Sequence, residues 1–286
     1  PSVASRTRRH VNLRNRSSSI RSLRLLAAAV ALLLVALGVT GPTVAEANRA
    51  HLVVLATSDL HGHIYPIDYF TNKADDGGLA QIYSYVKQVR TDNPNVLLVD
   101  NGDVLEGGNS VLPYHYMFDS SAPNPMIKVM NLMGYDSMSL GNHEFNYGLK
   151  TLGKAISEAR FPVVSANIVR ESGESFIQPY TIKDFGQFKV GVLGITTPKV
   201  PTWEKPENIE GLVFMSPLET ALKYVPDMRA QGADVVIIVG HTGWERKPKD
   251  SGKPEAWGSP DNWVDTGQAE ENWALRLANN VPGLDA

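Results

Sequence analysis

The stretch HLVVLATSDLHG, residues 51–62, determines the predicted fold, since it joins an apolar run to a polar turn. A short continuous apolar run that ends at turn residues predicts a buried β-strand, here over residues 51–57. Asp59 and His61 follow directly where that strand ends. The first strand therefore delivers a carboxylate and an imidazole to one edge of its sheet.

Three later stretches repeat this pattern of an apolar strand followed by polar residues. They are NVLLVDNGD (95–103), DSMSLGNHE (136–144) and DVVIIVGHTG (234–243). Open α/β sheets place their ligand sites beyond the carboxyl ends of the strands. The polar residues at these four strand ends are therefore candidates for one shared site: Asp59, His61, Asp103, Asn142, His143 and His241.

The remaining segments alternate between strand and helix patterns, which indicates an α/β layered domain. A hairpin is predicted around Gly186, between strands over residues 180–184 and 188–195. Residues 247–266 are rich in Pro, Gly and Trp and predict a long loop. Helices are predicted over residues 79–89, 125–133, 149–159, 217–230 and 269–279, and a further strand over residues 162–166.

The residue types at the strand ends favour metal binding. Residues two apart on an extended backbone point the same way, so Asp59 and His61 are expected to face one cation. Asp103 can bridge two cations because a carboxylate has two oxygens, and Asn142 offers a neutral amide oxygen. Each short pattern alone is weak, but their joint occurrence in this order predicts a metal site.

The amino-terminal segment has the pattern of a secretory signal peptide over residues 1–47. Seven arginines precede an apolar run over residues 25–39, and the small-residue pattern Ala45-Glu46-Ala47 follows. The alternative is a membrane anchor, but the run is shorter than the roughly 20 residues that span a bilayer. The sequence predicts an exported protein, periplasmic, cell-wall-associated or extracellular, that meets the membrane only through this segment.

Charge and composition limit the possible partners and ligands. Removal of residues 1–47 takes away seven arginines and one glutamate and leaves 20 basic and 29 acidic residues, a net charge of −9. Such a chain lacks the basic footprint that polymeric nucleic acid requires. The chain has no cysteine, so any metal must be held by histidine, carboxylate, amide oxygen or water.

The order D-x-H, G-D, G-N-H-E and G-H resembles that of the calcineurin-like metallophosphoesterases. The longer runs ATSDLHGHIYPIDY, VLLVDNGDVLEG, LGNHEFNYG and RAQGADVVIIVGHTG resemble one branch of that family. This branch contains the exported 5′-nucleotidases and 2′,3′-cyclic-nucleotide phosphodiesterases. The resemblance extends from about His51 to the last residue.

The resemblance implies a four-layer α/β/β/α sandwich over residues 48–286, with two divalent cations between the sheets. The cations of related proteins are manganese, zinc or cobalt. His143 matches a catalytic histidine that is not a metal ligand. The implied ligands are Asp59 and His61 for one cation, Asn142 and His241 for the other, and Asp103 as the bridge between them.

Two family features are not found in this sequence. The family has a G-H-x-H motif after one further strand, and a carboxyl-terminal domain that binds the nucleoside. Neither occurs before Ala286, which falls about where that strand would begin. The sequence therefore predicts a sandwich that is incomplete at its carboxyl terminus, and little activity for this chain alone.

Asn146 helps to distinguish which phosphate ester is the substrate. Many 5′-nucleotidases carry aspartate here, paired with the catalytic histidine, whereas NHEFNYG (142–148) is closer to the cyclic phosphodiesterase and 3′-nucleotidase branch. Asn146 can orient the ring of His143 but lends it no charge. The prediction is a 2′,3′-cyclic-nucleotide 2′-phosphodiesterase/3′-nucleotidase acting on small nucleotides. The alternatives are a 5′-nucleotidase, a related two-metal hydrolase such as a thiosulfohydrolase, and an inactive metal-binding fragment.

Overall fold

The computed structural model describes the chain over residues 49–107, 110–118, 120–248, 263–268 and 270–286. The fold described below is the unit Ala50–Ala286. The predicted signal segment, residues 1–47, lies outside the described residues. Among the described residues, no helix has the length and apolar character needed to cross a membrane.

Strands and helices alternate along most of the chain. The strands are β1 (Val53–Thr57), β2 (Ile67–Asp68), β3 (Lys73–Ala74), β4 (Val96–Asp100), β5 (Ser137–Ser139), β6 (Val163–Val164), β7 (Ile168–Arg170), β8 (Tyr180–Asp184), β9 (Lys189–Thr196), β10 (Leu212–Phe214), β11 (Val235–His241), β12 (Arg246–Pro248) and β13 (Trp263–Asp265). The helices are α1 (Leu79–Asp92), α2 (Leu112–Phe118), α3 (Pro125–Met133), α4 (Gly148–Glu158), α5 (Val200–Trp203), α6 (Pro217–Ala230) and α7 (Ala274–Asn280), with 3₁₀ turns at His143–Phe145 and Pro206–Asn208.

The first sheet has the order β1-β4-β5-β6, and all of its strands are parallel. β1 and β4 are aligned so that Thr57 lies opposite Asp100, the last residue of each strand. The loops that follow these strands therefore leave the sheet side by side. This register brings the Asp59 loop to the Asp103 loop.

The second sheet has the order β11-β9-β8. β11 is parallel to β9, and its last residue His241 lies opposite Thr196. β8 and β9 form the antiparallel hairpin predicted around Gly186, which adopts a positive φ of 82°. The end of β11 thus brings His241 to the carboxyl edge of the second sheet.

Apolar packing places the two sheets face to face between two helical layers. Leu97 and Val99 of β4 alternate with Leu98, which points to the opposite face of the first sheet, and every residue of β4 is buried. This arrangement is the predicted four-layer α/β/β/α sandwich. Helices α1, α3 and α4 cover the first sheet, and α6 and α7 cover the second. The apolar side chains between the two sheets are those of Leu97, Val99, Val190, Val192, Ile237 and Val239.

Some elements differ from the sequence predictions. The ends of the predicted loop 247–266 form an antiparallel pair, β12 with β13, while residues 249–262 lie outside the described residues. β11 continues two residues past its predicted end at residue 239, so His241 belongs to the strand itself. The last helix begins at Ala274 rather than residue 269. α2 and the β7–β10 pair were not predicted because short elements carry little periodicity.

The last residues of the chain lie against β11. The backbone N–H of Asp285 donates to the carbonyl of Val236 at 2.9 Å, and the N–H of Ile238 donates to the carbonyl of Ala286 at 2.8 Å. Arg229 donates to the carbonyl of Gly283 and to the Asp285 carboxylate. These contacts fix the chain end beside the strand that carries His241.

A substitution at Gly194 tests how closely the two sheets pack against each other. A Cβ added here would lie 2.4 Å from the carbonyl oxygen of Val164, in the other sheet. Because backbone atoms cannot rotate away, Gly194→Ala should lower the free energy of unfolding by about 2 kcal/mol or more, measured by urea denaturation. Gly153→Ala in α4 is the control, since its Cβ meets nothing within 4 Å. The control should gain up to about 1 kcal/mol, and equal stability of Gly194→Ala and the wild type would contradict the packing.

Candidate metal centre

The first candidate ligands lie on strained backbone. Asp59, His61 and Asp103 have positive φ angles of 53°, 44° and 60°, and they are three of the four non-glycine residues with positive φ in the described chain. The expected extended geometry of Asp59 and His61 is therefore wrong, and a left-handed turn brings them together instead. Left-handed non-glycine residues cost about 1–3 kcal/mol each and persist where the surroundings fix them, often at functional sites.

Backbone hydrogen bonds between the loops after β1 and β4 hold this turn. The N–H of Asp59 donates to the carbonyl of Gly102 at 3.0 Å, and the N–H of His61 donates to the carbonyl of Asp103 at 2.9 Å. The side chains of Asp59, His61 and Asp103 then offer ligand atoms that all lie within 4.8 Å of one another. Two carboxylates and one imidazole thus face a common point.

A second group forms around His241. Its Nε2 lies 3.2 Å from Oδ2 of Asp103 and 3.1 Å from Oδ1 of Asn142. Its Nδ1 is 2.7 Å from the carbonyl oxygen of Asn101, which can only accept, so Nδ1 carries the hydrogen. Nε2 is left as the nitrogen that can bind a metal, and Asp103 belongs to both groups.

The donor set fits divalent cations. Carboxylate, imidazole and amide donors in this mixture suit ions such as zinc or manganese. Oδ1 of Asn101 is buried with no hydrogen-bond partner in the described structure, beside the carbonyl that orients His241. A cavity of about 270 Å³ opens onto the second group; its lining is Ser58, Asp59, Asn101, Asn142, Thr197, His241, Thr242, Gly243 and Glu271.

Glu144 holds the Asp103 loop and was not singled out in the sequence. Its buried carboxylate accepts the N–H groups of Asp103 and Gly141 on one oxygen, at 2.8 and 2.6 Å. The other oxygen accepts those of Val104 and Leu105, at 2.7 and 3.1 Å. Gly141 is needed because a Cβ there would lie 2.2 Å from Oδ1 of Asp103. The motif G-N-H-E thus contains both candidate site residues and their support.

His143 lies beside the two groups and is oriented from two sides. Its backbone N–H donates to Oδ1 of Asp103 at 2.8 Å, and its ring centroid is 5.3 Å from that of His61. Its Nδ1 lies 2.7 Å from Oδ1 of Asn146, so the two residues named from the N-H-E-F-N stretch are in contact. The ring is therefore fixed next to, but outside, both groups.

Two glutamates in contact with this site were missed by sequence reasoning. Oε2 of Glu106 lies 3.2 Å from Nδ1 of His61 and 3.9 Å from Nδ1 of His143. Oε2 of Glu204 accepts Nδ2 of Asn146 at 2.6 Å. Glu106 stands only three residues after Asp103, whereas Glu204 lies 58 residues after Asn146 and no sequence pattern links them.

Hydrogen bonds set the ionisation of the groups around the site. Burial favours a raised pKa for Glu204, but hydrogen bonds from Asn208, Lys205 and Asn146 outweigh it and hold the pKa below its ordinary value. Burial lowers the pKa of His241, but its hydrogen bond and charge interaction with Asp103 outweigh burial and raise it to about 9. In the metal-free protein, the protonated Nε2 of His241 therefore donates a hydrogen bond to the carboxylate of Asp103.

Comparison with known proteins agrees with the class that this fold and site define, a metal-binding phosphoesterase domain. The chain belongs to the calcineurin-like phosphoesterase family, whose match covers residues 52–275. It is 39% identical to the trifunctional nucleotide phosphoesterase YfkN of Bacillus subtilis, over 86% of this chain and 17% of that protein. It is 35% identical to the 2′,3′-cyclic-nucleotide 2′-phosphodiesterase/3′-nucleotidase of Haemophilus influenzae, over 82% of this chain and 35% of that protein.

The fold also matches a solved structure. The crystal structure of Bacillus subtilis YfkN superposes with a TM-score of 0.69 at 37% identity, covering 82% of this chain and 70% of that one. The chain spans about a third or less of the length of these two relatives. The similarity assigns the family and the fold.

The pair of His241 and Asp103 makes stability depend on pH when no metal is bound. The pKa of His241 is about 9 in the folded chain and 6.5 ordinarily. The contribution of the protonated His241–Asp103 pair to the free energy of unfolding is therefore complete below about pH 6.5 and is lost as the pH rises to about 9. Unfolding in urea with a chelator should show a loss on the order of 1–3 kcal/mol over that range.

His241→Gln should remove this slope, and His63→Gln is the matched control that should retain it. A saturating divalent cation requires Nε2 without its proton, so the slope between pH 6.5 and 9 should disappear in the metal-loaded chain, and stability should instead fall as the pH drops below about 6.5. The same pH dependence in the wild type and His241→Gln would show that the pair does not form.

Proposed function

We propose that this chain is the metal-binding domain of an exported phosphoesterase that hydrolyses small nucleotide esters, with 2′,3′-cyclic and 3′-nucleotides as preferred substrates. The observation that carries the proposal is the meeting of two groups of ligand atoms at Asp103, with His143 beside them. The names of the two curated relatives support the substrate class.

Asp59, His61 and Asp103 would hold one cation, and Asp103, Asn142 and His241 the other. Manganese, zinc and cobalt all suit these donors. Divalent cations held by these residues would supply polarisation of the phosphate oxygens, activation of water and stabilisation of the negative charge of the transition state. Glu106 would orient His61, and the carbonyl of Asn101 would orient His241, as partners of metal-bound histidines commonly do.

The charge around the site supports a substrate held through cations. The cavity next to Asn142 and His241 has no lysine or arginine among its described lining residues. A phosphate there would otherwise face the carboxylates of Asp59 and Glu271 without compensation. A small phosphate ester fits this arrangement, and polymeric nucleic acid does not, because the chain without its first 47 residues has a net charge of −9.

His143 and Asn146 bear on the ester position. His143 would stabilise or protonate the leaving oxygen of the sugar. Its partner is a neutral amide, and a 2′- or 3′-oxygen that leaves a strained cyclic diester needs less help from an acid than an unstrained 5′-oxygen does. The proposal therefore ranks cyclic and 3′-esters above 5′-monoesters. A 5′-nucleotidase, a hydrolase of another oxyanion ester and an inactive metal-binding chain remain the rival outcomes of a substrate test.

Metal binding should depend on Asp103 more than on Asn142, because Asp103 serves both cations. Calorimetric titration with manganese or zinc should give two sites in the wild type, loss of both in Asp103→Ala and selective weakening of one in Asn142→Ala. In the full-length phosphoesterase, hydrolysis of a 2′,3′-cyclic nucleotide should follow the same order and should stop with a chelator. Asp227→Ala, exposed on α6, is the control. Undiminished turnover in the metal-free protein would refute the proposal.

Export is proposed from the arginines, apolar run and Ala45-Glu46-Ala47 pattern of the first 47 residues. The mature protein is expected to begin near Asn48 and to be periplasmic, cell-wall-associated or extracellular. Amino-terminal sequencing of the protein recovered outside the cytoplasm tests this. A mature protein that still carries the arginine-rich segment would contradict cleavage.

A further inference from the structure

The side chain of Asn146 connects His143 to a carboxylate that has no assigned role. Oδ1 of Asn146 faces Nδ1 of His143 at 2.7 Å, and its Nδ2 donates to Oε2 of Glu204 at 2.6 Å. An amide presents an acceptor on one side and a donor on the other, so its two partners must be complementary. The partner on the donor side of Asn146 therefore determines which amide atom faces Nδ1 of His143, while Oε2 of Glu106 lies farther from that nitrogen, at 3.9 Å.

Glu204 is held independently of Asn146. Its Oε1 accepts the backbone N–H of Lys205 at 2.7 Å and Nδ2 of Asn208 at 2.8 Å. Nδ2 of Asn208 also donates to the backbone carbonyl of Asn146 at 3.0 Å, so Asn208 cannot turn its oxygen toward either partner without losing both bonds. The lowered pKa of Glu204 keeps the carboxylate ionised and able only to accept.

The backbone on both sides of Glu204 is anchored in the core. Glu204 directly follows α5, and its N–H donates to the carbonyl of Val200, a residue buried in the main core. The 3₁₀ turn Pro206–Asn208 begins with proline and is followed by Ile209, which is also in that core. The carboxylate is therefore presented to Asn146 from a fixed support.

We propose that Glu204 is a positioning residue that fixes the Asn146 amide and thereby keeps the hydrogen of the neutral His143 ring on Nδ1, leaving the lone pair on Nε2. The role in hydrolysis rests on the proposed function, whereas the tautomer itself does not. Since Glu204 accepts from Nδ2, Oδ1 of Asn146 must face the ring, and an acceptor at that place requires N–H at Nδ1. The same carboxylate lies one amide away from the ring and partly replaces the charge that Asn146 lacks.

Glu204→Gln gives a specific expected result. Lys205 N–H and Asn208 Nδ2 are both donors, so the new side-chain oxygen must stay with them and the new NH₂ must face Asn146. Asn146 must then turn its own oxygen toward that NH₂ and its NH₂ toward His143. The ring nitrogen Nδ1 becomes an acceptor, and the hydrogen of the neutral ring moves to Nε2.

The tautomer is read by long-range ¹H–¹⁵N correlation spectra of the metal-free full chain, at a pH where the imidazole rings are neutral. His143→Gln identifies the signals of His143 by their absence. Glu204→Gln should shift the ratio of Nδ1–H to Nε2–H by about tenfold, which one neutral hydrogen bond can sustain. Glu207→Gln, an identical change on an exposed side chain three residues away, should leave the ratio unchanged.

A second variant separates the amide connection from general damage to the fold. Adding Asn146→Asp to Glu204→Gln places a carboxylate between two donors, so it should restore Nδ1–H. Thermal unfolding of each variant reports whether it is folded. A folded Glu204→Gln chain that keeps the wild-type tautomer, or a double variant that does not recover it, would overturn the proposal.

Turnover in a metal-loaded protein gives the functional consequence. The ring form that donates from Nε2 to the leaving oxygen carries a hydrogen on both nitrogens and needs an acceptor at Nδ1, which Glu204→Gln replaces with a donor. Glu204→Gln should therefore lower kcat on a 2′,3′-cyclic nucleotide by about 10- to 100-fold with little change in KM, within the range of general acid–base groups. A protein that hydrolyses no nucleotide ester but shows the tautomer switch contradicts the proposed function alone. Hydrolysis that is unaffected by Glu204→Gln, with an unchanged tautomer, contradicts the role of Glu204 alone.

Discussion

Four backbone N–H groups donate to the buried carboxylate of Glu144, and the candidate metal centre depends on that interaction. It binds the turn that carries Asp103 to the turn that carries Asn142 and His143. Burial and the neighbouring Asp103 raise the pKa of Glu144, but even at about 0.5–1.5 kcal/mol each its four hydrogen bonds are enough to offset the left-handed conformation of Asp103. Without it, the carboxylate shared by both cation groups would lose its position.

The parallel register of β1 and β4 supplies the other half of the site. With Thr57 opposite Asp100, the two following turns lie in contact and exchange hydrogen bonds at Asp59 and His61. Continuous apolar strands fix this register, because β4 packs on helices with one face and on the second sheet with the other. The core therefore determines where the polar turns meet, and the turns determine the direction of the ligand atoms.

Sequence patterns could predict the sheet and the residues at its edge because both are local. Apolar runs mark the strands, and the polar residues follow each run directly, so Asp59, Asp103 and His241 could be assigned to strand ends that share one site without knowledge of the structure. The backbone conformation of Asp59 and His61 could not be predicted, since a spacing of two residues is compatible with an extended strand and with a left-handed turn. Glu204 could not be found either, because its contact with Asn146 joins residues 58 positions apart.

The position of Glu204 also changes how the neutral side chain of Asn146 is interpreted. Read from the sequence, Asn146 replaces a carboxylate and leaves His143 with a neutral partner. In the structure the carboxylate is displaced by one amide, and its charge acts on the ring through a polarised hydrogen-bonded chain. The amide of Asn146 orients the ring of His143, but it places the carboxylate of Glu204 farther from the ring than a direct partner would be. His143 is therefore oriented by a neutral amide whose own direction is fixed by a carboxylate. In the proposed hydrolysis, this fixed orientation would place the ring of His143 against the leaving oxygen of the ester.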